Sequence, residues 1–245
     1  MKYAALAAAF ILSACAPAAA PPAPEETASA PTVTDVADGP KAQGFITENT
    51  APPPGAQDNE DGTYRDADGR PFQYALLGQH LPEFTAPTSD GGTFSSADIK
   101  HWTVIDVWGA WCGDCVADGP YVEALSRAIA QDPDLEFVSL HTPANANRTT
   151  PEELFGKYGS LEKYFEAAGY SIPSVVLDND ASVRNALQIR WTPSYLLVSP
   201  DGVVRGFRTD LSVVEDQPIK TFIQDIAEVR KEVRDLLSSD ISDIQ

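Results

Sequence analysis

The chain is poor in basic residues, with 17 lysines and arginines against 36 aspartates and glutamates among 245 residues. The formal charge of −19 leaves no basic surface to neutralise phosphates, which argues against nucleic acid as a partner. The same charge opposes electrostatic adhesion to anionic lipid. Three cysteines are too few for a disulfide-stapled scaffold. A hydrophobic content of 43% is nevertheless sufficient for a packed core, so the chain is not disordered throughout.

The N-terminus has the pattern of a targeting signal. Lys2 is followed by an apolar run to residue 12, which is shorter than the about 20 residues of a membrane span but typical of a secretory signal peptide. The sequence Leu-Ser-Ala-Cys, which ends at Cys15, resembles a bacterial lipobox. This resemblance implies a signal peptide over residues 1–14 and a lipid anchor at Cys15, with an ordinary signal peptide cleaved nearby as the alternative. Both place the protein in the bacterial cell envelope, facing the periplasm, where disulfides persist.

Composition divides the rest of the chain into a spacer and a folded domain. Residues 15–72 are rich in alanine, proline and acidic residues, which predicts a flexible linker, although an Asp-Gly turn favours a hairpin over residues 64–75. Over residues 73–237, strand-like apolar runs alternate with helical stretches, as in an α/β sheet with covered faces. From residue 217, apolar residues recur every three to four positions and predict a long C-terminal helix, followed by a tail over residues 238–245.

The sequence Trp-Cys-Gly-Asp-Cys follows an apolar strand and opens a predicted helix. Cysteines three residues apart on a first helical turn face the same side and can form a small reversible disulfide. Cys112 is the expected exposed nucleophile, because the helix N-terminus lowers the pKa of a thiol there. Cys115 is expected to be better buried and to resolve the mixed disulfide. A zinc site would need two more ligands, which one remaining cysteine and three scattered histidines do not supply.

Two segments carry a resemblance to the thioredoxin superfamily: IDVWGAWCGDC over residues 105–115, and Arg-Trp-Thr-Pro ending at Pro193. Residues 78–212 resemble its membrane-tethered reductases of the TlpA and ResA type. The resemblance implies a thioredoxin-like α/β fold, in which a central mixed sheet with flanking helices carries an N-terminal hairpin and a central insertion, here over residues 141–159. It also implies a cis peptide bond before Pro193, beside the dithiol. The residues that would flank the dithiol are Trp111, Gly113, Asp114, Thr192 and Pro193.

The acidic residues near the dithiol depart from the family pattern. Asp114 stands where the family usually has proline, and its charge should raise thiol pKa values, so Cys112 is expected to be less acidic than in strong oxidants. Asp106 occupies the position of the buried aspartate of thioredoxin, and Asp118 that of a glutamate in ResA-type enzymes. Either is a candidate to move the proton of Cys115. The alternatives are a structural, paired acid for Asp106 and a solvated helix residue for Asp118; we expect Asp106 to matter more for turnover.

Other side chains near these motifs have simpler expected roles. Trp108 is expected in the core, whereas Trp111 and Trp191 are expected at the surface, in contact with a partner. The backbone of Thr192 is expected to bind a substrate strand. His141 ends a predicted strand and is expected to be a satisfied loop residue rather than a catalyst.

These features predict an envelope thiol–disulfide oxidoreductase that reduces client disulfides through Cys112 and Cys115, with no cofactor beyond the dithiol. The resemblance implies a membrane electron-transfer protein as the donor, and a client such as apocytochrome c, a periplasmic enzyme or an assembling copper site. The alternatives are a dithiol oxidase or isomerase of the same fold, and a tethered module that binds clients without chemistry. A peroxidase is disfavoured, because the Pro-x-x-x-Thr-x-x-Cys arrangement of such enzymes is absent before Cys112.

Overall fold

The computed structural model describes residues 44–58, 64–66, 69–209, 211 and 217–242. The predicted signal peptide and the predicted lipidation site Cys15 lie outside these residues. The strands are β1 (Gln57–Asp58), β2 (Tyr64–Arg65), β3 (Thr85–Pro87), β4 (Thr93–Ser95), β5 (Trp102–Trp108), β6 (Leu135–His141), β7 (Val175–Leu177), β8 (Ser194–Val198) and β9 (Val204–Thr209). The α-helices are α1 (Gly113–Ile129), α2 (Pro151–Phe155), α3 (Leu161–Ala168), α4 (Ser182–Ala186) and α5 (Pro218–Ser242).

The centre of the domain is a mixed sheet in the order β7-β6-β5-β8-β9. Strand β6 runs parallel to β5 and β7, whereas β8 runs antiparallel to β5 and β9. Side chains alternate across β5, so that Ile105 and Val107 join one buried cluster while Val104 and Trp108 join the other. Helices α1, α3 and α5 contribute to the second cluster and α4 to the first, so both faces are covered. This arrangement confirms the predicted thioredoxin-like fold.

The structured part begins before residue 73, which corrects the predicted extent of the linker. Ile46 is 4% exposed and forms an antiparallel bridge with Phe207 of β9, in which each backbone N–H donates to the other residue's carbonyl. Phe72 is also buried in the core. The proline-rich composition conceals these contacts, because single apolar side chains separated by polar residues leave no periodic pattern.

Two antiparallel hairpins precede the sheet, one formed by β1 and β2 and the other by β3 and β4. Arg65 at the end of β2 also pairs with Pro71, across a turn in which Gly69 has a φ of +84°. The hairpin predicted over residues 64–75 is thus present in its described residues. Beside the other hairpin, Thr88 bridges to Val176 of β7.

The predicted central insertion over residues 141–159 begins at the last residue of β6 and contains α2, whereas α3 follows it before β7. The predicted C-terminal helix is α5, which continues to Ser242 and so passes residue 237, where the sequence placed the end of the domain. Phe222, Ile226 and Val229 bury its inner face in the core, and Leu237 is 55% exposed near its end. Among the described helices, none is both long enough and apolar enough to cross a membrane.

Candidate active site

Cys112 is placed at the N-terminus of α1 by the turn that follows β5. It is the N-cap residue of the helix, and its Sγ accepts a hydrogen bond from the backbone N–H of Cys115 at 3.3 Å. Both cysteines are free thiols, 8% and 3% exposed respectively. Cys112 is therefore more buried than predicted, but it lines an open groove of about 450 Å³ together with Trp111 and Trp191. The nucleophile is thus reachable from solvent at one face.

The two thiols differ in acidity. Hydrogen bonding with the Cys115 thiol lowers the pKa of Cys112 to about 7, against the opposing effect of burial, and Thr192 and the Cys115 backbone N–H lower this pKa further. Asp114 raises the pKa of Cys112 as expected, but this contribution is smaller than the others because the Asp114 side chain is exposed to water. Burial raises the pKa of Cys115 well above its usual value. Only Cys112 is therefore substantially ionised near neutral pH.

The peptide bond between Thr192 and Pro193 is cis, as the resemblance implies. The thiol of Cys112 donates to the carbonyl oxygen of Thr192 at 3.4 Å, and Pro193 lines a small cavity beside Cys115. A Cβ atom placed on Gly113 would meet no atom within 4 Å, so the groove is open at that point. The predicted flanking residues therefore converge on the dithiol.

Asp106 is almost completely buried beside the dithiol. It lies in β5 opposite Ser139 and Tyr195 of the neighbouring strands, with 1% of its surface exposed. Burial raises its pKa well above the usual value, and the charges of Asp118 and Cys112 act in the same direction. Its Oδ1 atom has no hydrogen-bond partner within the described part of the chain. Asp106 is therefore not a paired structural acid at that oxygen.

Asp118 is also buried, with 1% of its surface exposed, so the alternative of a solvated helix residue is wrong. Its Oδ2 atom accepts hydrogen bonds from the Tyr195 hydroxyl at 2.9 Å and from the backbone N–H of Leu211 at 2.7 Å. Asp106, Asp118 and Cys115 line one cavity of about 10 Å³, which is the size needed to hold a single water. The cavity therefore brings both predicted acids to the resolving cysteine.

Of the three tryptophans near the dithiol, Trp111 and Trp191 are less exposed than the predicted contact with a partner requires. Trp108 is in the core as predicted, and its Nε1 donates to the Ser139 hydroxyl at 2.7 Å. Trp111 is half-buried, because its Nε1 donates to the carbonyl of Thr142 at 2.8 Å and the Arg184 guanidinium lies 5.8 Å from its ring. Trp191 is also half-buried at the groove.

Three residues near the dithiol were not identified from the sequence: Arg184, Tyr170 and Tyr195. Arg184 lines the groove with Cys112, and both tyrosines line the cavity with Cys115. They lie 55 or more positions along the chain from Cys115 and belong to no short motif. Only the fold brings them to the site.

Comparison with known proteins agrees with this geometry. The family model described as Redoxin matches residues 76–216, more than half of the chain. The chain belongs to the Redoxin family. It is 24% identical over 144 residues to the thiol-disulfide oxidoreductase ResA of Bacillus subtilis, covering 57% of this chain and 72% of that protein. It is 26% identical over 141 residues to ResA of Geobacillus kaustophilus, covering 57% and 73% respectively.

Among solved structures, StoA from Bacillus subtilis is 16% identical, with a TM-score of 0.45, covering 58% of this chain and 96% of that one. The Redoxin family together with the paired free thiols beside a cis-proline makes this chain a thiol–disulfide oxidoreductase. The geometry assigns two distinct sulfur environments to that chemistry, one at a groove and one at a closed cavity.

Proposed function

We propose that this Redoxin-family protein is a reductase that transfers electrons from its dithiol to disulfides of client proteins in the cell envelope. The direction of electron transfer is inferred from the environment of Cys112, in which hydrogen bonds lower the pKa of the thiol only to about 7. A strongly lowered thiol pKa stabilises the reduced form and makes the disulfide an oxidant, as at the pKa of about 3.5 in DsbA, whereas thioredoxin has a value of about 7. A pKa in the thioredoxin range favours donation of electrons.

In the proposed reaction, the Cys112 thiolate attacks a client disulfide. A mixed disulfide forms, and the first client sulfur leaves as a thiolate. Cys115 then gives its proton to the Asp106 carboxylate and attacks the Cys112 sulfur. The second client sulfur leaves, and each client thiolate takes up a proton. Two electrons pass to the client and the dithiol becomes a disulfide, so no cofactor beyond the two cysteines is used.

Asp106 is the proposed proton acceptor because its environment differs from that of Asp118. A buried carboxylate with no donor at Oδ1 and a raised pKa gains most by taking up a proton. The Oδ2 atom of Asp118 already accepts two hydrogen bonds, from the Tyr195 hydroxyl and the Leu211 backbone N–H.

We further propose that a lipid at Cys15 tethers the protein to a membrane with the domain facing the periplasm, and that residues 1–14 are the signal peptide. A membrane electron-transfer protein is the proposed donor that restores the dithiol. A client such as apocytochrome c, a periplasmic enzyme or an assembling copper site is consistent with a reductase in that compartment. Replacing Cys15 by alanine should move the protein from the membrane fraction to the soluble fraction.

The equilibrium between the Cys112–Cys115 pair and glutathione tests the direction. The proposal expects a potential close to the about −270 mV of thioredoxin, and a value close to the about −120 mV of DsbA would instead indicate an oxidase. A Cys115→Ser variant should trap clients as mixed disulfides that a reducing agent releases. The matched double variant, which also carries Cys112→Ser, should trap none. Capture by the double variant would indicate a binding module without chemistry.

A further inference from the structure

The cavity beside Cys115 is lined by two tyrosines whose hydroxyl groups have different partners. The Tyr195 hydroxyl donates to Asp118 at 2.9 Å, so its proton is already committed. The Tyr170 oxygen lies 2.8 Å from the Tyr164 oxygen, and one of these two hydroxyls donates to the other. Tyr164 is fully buried and does not line the cavity, whereas Tyr170 does.

The hydrogen bond between Tyr164 and Tyr170 uses one of their two hydroxyl protons, and the other proton still needs an acceptor. If Tyr170 donated to Tyr164, the proton of the buried Tyr164 hydroxyl would have no acceptor within the described residues. A buried hydroxyl without an acceptor is unfavourable, which favours the arrangement in which Tyr164 donates to Tyr170 over its reverse. In that arrangement the Tyr170 proton is left for the cavity, which Asp106 also lines and where this carboxylate has an oxygen, Oδ1, without a donor among the residues that the structure describes.

Gly119 in α1 allows this placement of Tyr170. A Cβ atom on Gly119 would lie 2.8 Å from both Oη and Cε1 of Tyr170, closer than such contacts occur. Glycine weakens the interior of a helix, yet here it lets the Tyr170 ring reach the turn of α1 that follows Cys115 and Asp118. The approach of the hydroxyl to the cavity thus depends on a residue without a side chain.

We propose that Tyr170 is a positioning residue, whose hydroxyl donates through a single water in the cavity to the Asp106 carboxylate and keeps that carboxylate ionised. This inference rests on the proposed function, in which Asp106 takes the Cys115 proton. During resolution that proton moves to Asp106, the Cys115 sulfur bonds to the Cys112 sulfur, and the bond between Cys112 and the client breaks. Tyr170 exchanges no electrons and ends the step in its starting protonation state.

Several other ionisable groups surround Asp106 and contribute to its titration. They come from the N-cap and first turns of α1, from β8 and from the segment between α2 and β7: Cys112, Cys115, Asp118, Tyr195, Tyr164 and Tyr170. Burial raises the pKa of Tyr170, so this hydroxyl stays protonated and available as a donor. The nearby Ser139 hydroxyl also lines the cavity, with its oxygen accepting from Trp108.

Ellman's reagent tests the inference in stopped flow. The reduced protein releases one thionitrobenzoate when Cys112 attacks the reagent and a second when Cys115 resolves the mixed disulfide. The proposed function expects the second phase to slow in acid with a midpoint set by Asp106. For Tyr170→Phe, this midpoint should rise by about one pH unit, because a hydrogen bond to the charged form is lost. Below the wild-type midpoint, the second phase should slow about tenfold while the first phase stays unchanged.

Tyr158→Phe is the matched control, because Tyr158 packs edge-on against Tyr164 but does not line the cavity, and its midpoint should equal the wild-type value. Gly119→Ala is a second variant that displaces the Tyr170 hydroxyl without removing it and should also raise the midpoint. A wild-type midpoint in Tyr170→Phe would overturn the inference. If the second phase of Asp106→Asn still slowed in acid with the wild-type midpoint, the proposed role of Asp106 would fail instead. The two failures are therefore distinguishable.

Discussion

The Nε2 atom of His141 accepts a hydrogen bond from the backbone N–H of Ala110 at 3.2 Å, and this bond joins the end of β6 to the turn that carries Cys112. The imidazole is fully buried, stacked 5.1 Å from the ring of Phe155 and packed edge-on against Trp108. The expectation of a satisfied loop residue holds only at Nε2, because Nδ1 has no hydrogen-bond partner among the described residues and His141 lies in β6 rather than in a loop. The contact requires a neutral imidazole at that nitrogen, so it links the site to pH.

Acid should weaken the fold through His141. Burial lowers the pKa of His141 to about 4, below its usual 6.5, so the unfolded chain binds a proton between these pH values that the folded chain does not. The free energy of unfolding should therefore fall as the pH drops from about 6.5 to about 4, by up to about 3 kcal/mol. Urea unfolding at pH 7 and pH 5 measures the part of this loss that occurs above pH 5, which is about 2 kcal/mol.

His141→Gln is the comparison variant, because its side-chain oxygen can replace Nε2 as an acceptor but does not titrate. As the pH falls, the wild type should lose more unfolding free energy than the variant, so the stability of the wild type relative to the variant should decrease. Titration of the buried carboxylates cancels in this difference to first order. An equal pH dependence in both proteins would contradict the prediction.

Replacing the two acids of the cavity should have different effects: loss of Asp106 should mainly affect catalysis, and loss of Asp118 should mainly affect stability. Asp106→Asn removes the proposed proton acceptor and should slow resolution by about 10²-fold or more. Asp118→Asn should slow turnover less, but it should cost about 1–3 kcal/mol of stability, because a neutral amide oxygen accepts from the Tyr195 hydroxyl and the Leu211 N–H more weakly than a carboxylate, and its NH2 group replaces the second oxygen of a buried side chain. Stopped-flow kinetics and urea unfolding of both variants check this. If both variants resolved the mixed disulfide at a near-wild-type rate, neither acid would be the group that accepts the Cys115 proton.

The ion pair between Arg208 and Asp225 should contribute to the attachment of α5 to the sheet. Its atoms are 2.8 Å apart, the Arg208 side chain is 2% exposed, and its guanidinium lies 4.6 Å from the ring of Phe222. Because removal of one partner leaves a buried charge unpaired, Asp225→Asn should lower the unfolding free energy by about 3 kcal/mol. The control is Asp235→Asn, which breaks an exposed pair with Lys231 on the same helix and should have no measurable effect. Equal stabilities of the two variants would argue against a role for the buried pair.

The segment before residue 73 should contribute to stability. Ile46→Ala should cost about 2–4 kcal/mol, because a buried side chain is removed from the core beside Phe207. Leu237→Ala, at an exposed position of α5, is the matched control and should change stability little. Guanidinium unfolding of the two variants measures the difference. A fully stable Ile46→Ala protein would restore the prediction of a linker up to residue 72.

The fold and the dithiol could be predicted from the sequence, because both leave local or periodic patterns in it. The apolar run of β5, the two cysteines and the threonine–proline pair at residues 192–193 each fit a short pattern that the fold requires. The extent of the linker was wrong, since Ile46 gains its burial only from contact with a strand far along the chain.

The balance of electrostatic effects was also beyond the sequence. Asp114 can be read as a charge beside two sulfurs, but its exposure, which decides the size of its effect, is a property of the folded surface. The partners of Asp118 show the same limit, because Tyr195 and Leu211 come from distant segments. Position in a motif identified both acids, and only packing separated their environments.

The bridges at Ile46 and Thr88 have a consequence for association. Strands β9 and β7 are the outermost strands of the sheet, and unpaired backbone groups on such strands promote aggregation by recruiting other chains. Ile46 occupies part of one border, and Thr88, together with Ser89 bonded to Val175, occupies part of the other. An incoming polypeptide therefore finds both borders of the sheet partly filled, whereas the groove beside Cys112 is open to it.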